Sequence, residues 1–237
     1  MGGSGRARVT VRAELAMSTA ESVGPVVRGR RASFSELFSD ALRGTPCSVR
    51  GISPVDQLVP VHDWLRPASR ADRHLLGHCR GATLDIGCGP GRMAAHLALH
   101  AHPVLGVDIV REAVEQTRRR GVPALRRNVF DPIPGEGSWD TVLLADGNIG
   151  IGGAPLALLR RSVELLGHNG RVVCDLGAPG TGLRIHAARL VTHRRHSEPF
   201  PWAEVGPEAI GPLAARAGLH VLHVHQQPGR WFAVLTR

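Results

Sequence analysis

The chain has 237 residues, 43% of them hydrophobic and 21% charged, enough for one α/β domain with a short extension and too few for two ordinary domains. Its net charge is +9, but all 29 basic residues are arginine, a bias that weakens the usual inference from basicity to a phosphate-binding surface, so nucleic acid is not the expected partner. The missing lysine excludes Walker-type phosphate loops and pyridoxal phosphate Schiff bases.

Residues 1 to about 33 are rich in Gly, Ser and Arg and show no sustained period, so they are expected to be a disordered leader, with Met17 as an alternative start. Neither a secretory signal nor a membrane span fits the chain, which points to the cytoplasm. Cys47, Cys79, Cys88 and Cys174 are scattered and form no C-x-x-C pair, so reduced thiols are expected. Residues 34–66 form an N-terminal extension. In it Phe34, Leu37, Phe38 and Leu42 recur at helical spacing after Ser33, with Glu36 three residues on as a capping box. Residues 45–66 read as Pro-rich and extended, and a second helix from about Ala68 to Cys79 leads into the main domain, residues 67–237.

Strands and helices then alternate, as a doubly wound parallel sheet requires. The spacing predicts strands at Ala82–Ile86, Val104–Val107, Pro123–Arg126, Thr141–Ala145 and Arg171–Leu176. Helices are predicted at Pro90–His100, Val110–Arg120 and Pro155–Leu166. Residues 177–206 are read as an inserted hairpin that offers His186, Arg189 and Trp202 as candidate acceptor contacts. A helix at Pro207–Ala217 precedes the runs Leu219–His225 and Trp231–Thr236, which the short Pro-Gly connection makes antiparallel.

Between the first strand and its helix lies Leu84-Asp85-Ile86-Gly87-Cys88-Gly89-Pro90-Gly91-Arg92. Glycines there permit a tight turn and close approach of a ligand to the backbone. A dinucleotide site requires G-x-G-x-x-G, whereas here the spacing is G-x-G-x-G and Arg92 occupies the last slot. Asp85, two residues before the first glycine, would repel a pyrophosphate and attract an ammonium. Asp108, 21 positions after Gly87, ends the second strand, where a carboxylate can accept hydrogen bonds from two ribose hydroxyls.

These segments resemble class I S-adenosylmethionine (SAM)-dependent methyltransferases. LDIGCGPGR is similar to the family's first motif and LGVDI to the acidic segment after it. Asn128-Val129-Phe130-Asp131-Pro132-Ile133-Pro134 is similar to the adenine-contacting segment, with Asn128 replacing the usual Asp. Trp139 to Asp146 is similar to the fourth-strand motif. A closer resemblance, to actinobacterial methyltransferase-domain proteins, rests on the run Ala145 to Gly153 and the ending Gly229 to Leu235. The resemblance implies a Rossmann-like seven-stranded sheet with the last strand antiparallel, SAM as cofactor, and a cofactor site at Asp85, Gly87, Cys88, Gly89, Gly91, Asp108, Ile109, Asn128 and Val129.

Methyl transfer from a sulfonium chiefly needs alignment, exclusion of water and, for a hydroxyl or thiol acceptor, removal of a proton. Asp146 and Asn148 follow the fourth strand at the sheet edge where ligands bind, and are the first candidates to line the methyl site. His62, with Asp63 and Trp64, is a candidate base on a lid. His223 and His225 share one face of a strand but no third ligand is identifiable, so no metal site is expected. Arg118 to Arg120, Arg126 and Arg127 read as a solvated helix end. The expected activity is methylation of a small molecule. RNA or protein methylation, and SAM binding without turnover, are the alternatives, and the oligomeric state is open.

Overall fold

The computed structural model describes residues 29–237. Met17 and most of the expected leader lie outside the described residues. The expected leader ends earlier than residue 33, because Arg30–Ala32 already forms a strand. The N-terminal extension comprises β1 (Arg30–Ala32), α1 (Phe34–Leu42), β2 (Ser48–Arg50), β3 (Gln57–Leu58) and α2 (Val61–Leu65), followed by α3 (Arg70–Leu76). Residues 45–66 are therefore two short strands and a helix, not merely an extended connection. Both early helices start at capping boxes: the Ser33 and Ser69 hydroxyls accept from the third helical amides, while Glu36 and Asp72 accept from the cap amides.

The main domain runs β4 (Thr83–Ile86), α4 (Arg92–Leu99), β5 (Val104–Asp108), α5 (Arg111–Arg119), β6 (Ala124–Arg126), β7 (Trp139–Leu144), α6 (Pro155–Leu165) and β8 (Leu166–Leu176). It continues through the insertion β9 (Leu183–Val191), β10 (Arg195–Ser197) and β11 (Phe200–Val205). It ends with α7 (Pro207–Arg216), β12 (His220–Gln227) and β13 (Arg230–Thr236). Seven strands form one sheet in the order β12-β13-β8-β7-β4-β5-β6. The strands from β8 to β6 pair in parallel, and β13 runs antiparallel to β8, as expected.

A parallel strand must be apolar on both faces because helices cover both. In β7, Leu143 and Leu144 are both fully buried, yet Leu144 packs with Leu84, Val142 and Leu158 while Leu143 packs with Leu75, Met93 and Phe232 on the opposite face. That split is the two-residue alternation of a strand inside a three-layer domain. Strand order reverses at β4, with β5 on one side and β7 on the other. The crevice at the carboxyl ends of these strands is where open α/β sheets bind ligands.

The insertion and the extension join in a second sheet. Its order is β1-β10-β9-β2-β3, with β11 also pairing to β9. The inserted hairpin β9–β11 thus exists, and the N-terminal strands complete it. Leu42 of α1 packs with Val110 and Ala113 at the start of α5, joined by Phe38, Val61 and Trp64, which seats this second layer beside the end of β5. Among the described residues no helix is long and apolar enough to cross a membrane.

Candidate functional site

The glycine loop leaves β4 with Gly87, Gly89 and Gly91 at φ +69°, +53° and +84°, values that L side chains rarely adopt. A Cβ on Gly87 would lie 2.7 Å from the Asn148 amide nitrogen, whereas one on Gly89 would meet nothing within 4 Å. Gly87 is therefore closed by protein, and Gly89 faces open space where a ligand can rest on the backbone. Gly91 is the N-cap of α4.

Asp85, near the end of β4 before this loop, is 1% exposed, and its Oδ2 has no hydrogen-bond partner among the described residues. Burial, reinforced by the charges of Asp146 and Asp108, pushes its carboxyl up to about 7. An orphaned acidic oxygen on the strand that leads into the glycine loop suits a cationic amino group. Asp108 is half-buried at the end of β5, with Oδ2 accepting from the Gly89 amide at 3.0 Å and Oδ1 from the Val110 amide at 2.8 Å. Burial raises its carboxyl despite these backbone donors. Each oxygen keeps a lone pair for a hydroxyl.

Ile109 and Asn128 line one cavity of about 400 Å³ together with Arg126, Arg127 and Asp131. The Asn128 carbonyl oxygen accepts from the Phe130 amide at 3.1 Å, which leaves its NH2 group for a purine edge. Two of the expected contacts have buried side chains. Val129 is a buried member of the core, and the Cys88 thiol is buried 3.7 Å from the Thr117 hydroxyl, with burial raising it far above the usual thiol range. Only the backbone of these two residues can face a ligand. The loop, Asp108, Ile109 and Asn128 together have the chemistry for an amino acid joined to a ribosyl purine, so the residues present fit SAM.

The turn after β7 is held by an ion network that sequence reasoning missed. Arg92 Nη2 donates to both oxygens of Asp146, at 2.8 and 2.6 Å, and its Nη1 donates to Asp72. Arg230 donates to Asp175 at 2.7 and 2.5 Å and to Asp72 at 2.5 Å, while Asp175 Oδ2 accepts from the Asp146 amide at 2.6 Å. Burial by itself would raise the Asp72 carboxyl, but hydrogen bonds from Arg92, the Ser69 amide and Arg230 overcome it and hold the group at about 2. Asp146 takes φ +53° and stays one-third exposed. The only sequence signals were Arg92 in an unexpected glycine slot and Arg230 in the terminal run.

Asn148 begins a short 3-10 turn, and its side-chain nitrogen donates to the carbonyls of Ile86 and Gly87, both at 2.9 Å. It braces the glycine loop. His62 stands on α2 with a side chain 87% exposed, 3.9 Å from Asp63, and makes no hydrogen bond to the loop or to Asp146. In the insertion, His186 pairs with Glu204 at 2.9 Å, and Trp202, opposite His186, forms an isolated bridge with Ile151. A Cβ on Gly150 would lie 2.0 Å from the Ala203 carbonyl oxygen, so the glycine-rich run lets the hairpin close onto this turn. The arginines of the α5 end are engaged: Arg118 donates to the Ala124 carbonyl, Arg120 to that of Leu65 and Arg126 to that of Ile109.

A family model for a methyltransferase domain matches residues 83–170. No curated protein matches the chain by sequence. A SAM-dependent methyltransferase from Bacteroides fragilis, solved with S-adenosylhomocysteine, shares 22% identity at a TM-score of 0.72, over 85% of this chain and 93% of its own. A 1,6-didemethyltoxoflavin-N1-methyltransferase from Burkholderia thailandensis shares 21% at a TM-score of 0.55, over 70% and 76%. A sugar N-methyltransferase from Streptoalloteichus shares 18% at 0.54, over 94% and 98%. Residues 83–170 thus match a methyltransferase domain, and the chain shares the fold of SAM-dependent methyltransferases.

Proposed function

We propose that this methyltransferase acts on a small-molecule acceptor. The observation that carries the reading is a cavity of about 440 Å³ between Asp63, Arg66, Pro67, Ser69, Asp72 and Arg92, beside the Arg92–Asp146 pair. That volume suits a compound of sugar or heterocycle size and not a duplex or a folded protein. Two of the similar structures carry names that specify small acceptors, a toxoflavin precursor and a sugar. Among the described residues, Arg43, Arg50, Arg92, Arg161, Arg195 and Arg230 sit in ion pairs.

In this reading Asp108 accepts from the ribose hydroxyls, Ile109, Asn128 and the Val129 backbone hold the adenine, and Asp85 with the backbone of Gly87, Cys88, Gly89 and Gly91 receives the amino-acid end. SAM supplies a methyl group on a positively charged sulfur. Asp146 shapes the wall beside that methyl, Asn148 keeps the glycine loop in register, and His62, adjacent to the cavity-lining Asp63, takes the acceptor's proton. Labelled SAM incubated with the protein and fractionated cell extract tests the proposal. Label in a small molecule supports it. Label in RNA or protein overturns the acceptor class, and SAM binding without any labelled product makes the chain a binding module.

A further inference from the structure

Three histidines from two distant parts of the chain meet where α3 packs against the outer edge of the seven-stranded sheet. His74 lies in α3, and His78 follows four residues later in a turn that continues the helix, its amide donating to the Leu75 carbonyl at 3.1 Å. Residues four apart on a helix share a face. The third, His225, comes from β12. There the pairing with β13 shifts by one residue between Val221 and His223, so that His223 opposes Val234 and His225 opposes Phe232. Phe232 and Val234 belong to the core cluster that includes Leu75, Leu76 and Cys79, so this bulge brings His225 to the side covered by α3.

One ligand-capable nitrogen from each of His74, His78 and His225 lies within 4.8 Å of the other two. Tetrahedral zinc with nitrogen ligands needs separations of about 3.3 Å, which small ring rotations reach. The fully buried Phe232 forms the floor, stacked on His225 at 4.6 Å between ring centroids and 5.3 Å from His78. The His225 Nε2 is buried without a hydrogen-bond partner among the described residues, an arrangement that costs free energy unless something fills the lone pair or receives the proton.

We propose that His74, His78 and His225 form a site for a divalent transition metal of the zinc class, which staples α3 to the β12–β13 edge. Three imidazoles leave one position for water or for His223, whose ring lies 5.6 Å from that of His225. The site is separate from the cofactor crevice, but α3 links the two, since its Asp72 holds Arg92 and Arg230. A bound ion would thus stiffen the helix that carries the buried network.

The test uses the full-length protein, stripped with chelator and titrated with zinc chloride by calorimetry, with Co²⁺ as a spectroscopic probe of nitrogen coordination. One equivalent should bind with micromolar or tighter affinity and raise the melting temperature. His225→Ala should weaken binding at least about tenfold, as expected when one of three ligands is lost, and His74→Ala, on an exposed helix position, should do the same in a protein that stays folded by circular dichroism. His193→Ala, at an exposed position in the insertion, should change nothing. No zinc binding at 100 μM, or binding that survives loss of both His74 and His225, overturns the site. The outcome does not depend on methyl transfer.

Discussion

Arg92, in the first turn of α4, donates to both carboxylate oxygens of Asp146, at 2.8 and 2.6 Å. The pair joins the helix that follows the glycine loop to the turn that follows β7, the two walls of the crevice. Its arginine is 9% exposed, so the charge is held out of water and relies on its partners. Asp146 also occupies a left-handed backbone conformation, a strain of about 1–2 kcal/mol for a non-glycine residue. A strained residue fixed by a buried arginine is a positioning group.

Asp72→Asn should be the most destabilising change in the network. Asp72 is 1% exposed and receives both Arg92 and Arg230, so the substitution leaves two buried guanidiniums short of a counter-charge. The expected cost is about 3 kcal/mol or more, a fall in melting temperature on the order of 6–12 °C. A shift no larger than that of an exposed-site control would show that the arginines find other partners.

Asp108→Ala should weaken SAM binding about ten- to a hundredfold, roughly 1.5–3 kcal/mol, because two hydroxyls lose a charged acceptor. Calorimetry with SAM and S-adenosylhomocysteine measures it. Unchanged affinity in a folded variant removes Asp108 from the ribose contact.

Asn148→Ala and Asp146→Ala should differ in kind. Asn148 donates to the Ile86 and Gly87 carbonyls, so its loss loosens the loop and lowers SAM affinity about fivefold, roughly 1 kcal/mol. Asp146→Ala should reduce single-turnover methyl transfer more than SAM affinity, because it shapes the wall beside the methyl. Equal losses in both quantities for Asp146 would place it in the cofactor pocket.

Asp85 sets a pH dependence of opposite sign to the usual carboxylate. Its folded value of about 7 stands above the ordinary value of 3.8, so between pH 4 and 7 the unfolded chain has lost the proton that the folded chain retains. Stability attributable to this group therefore falls as pH rises through that window, by about 4 kcal/mol in all. Asp85→Asn should raise the melting temperature at pH 8, leave it little changed at pH 4, and weaken SAM binding at both. In the wild type, SAM affinity should rise from pH 5.5 to 7.5, because the bound ammonium favours the ionised carboxylate. A flat affinity profile would show that Asp85 is already ionised.

What local chemistry specifies was legible in the sequence. The capping box at Ser33, the apolar runs of the core strands, the glycine spacing and the acid at the end of β5 each depend on neighbours within a few residues, and they were enough to read the fold; the Ser69 capping box was local as well but went unread. The tertiary structure alone decided which polar groups meet. Asp72, Arg92, Asp146, Asp175 and Arg230 come from five separate elements or turns, β2 pairs with β9 across more than a hundred residues, and His225 reaches His74 and His78 through a one-residue bulge. A hydrophobic period announces its own burial because every residue in it shares one face. A charged or imidazole side chain carries no such period, and its partner is chosen only when packing brings distant segments together and removes the water that would otherwise solvate it.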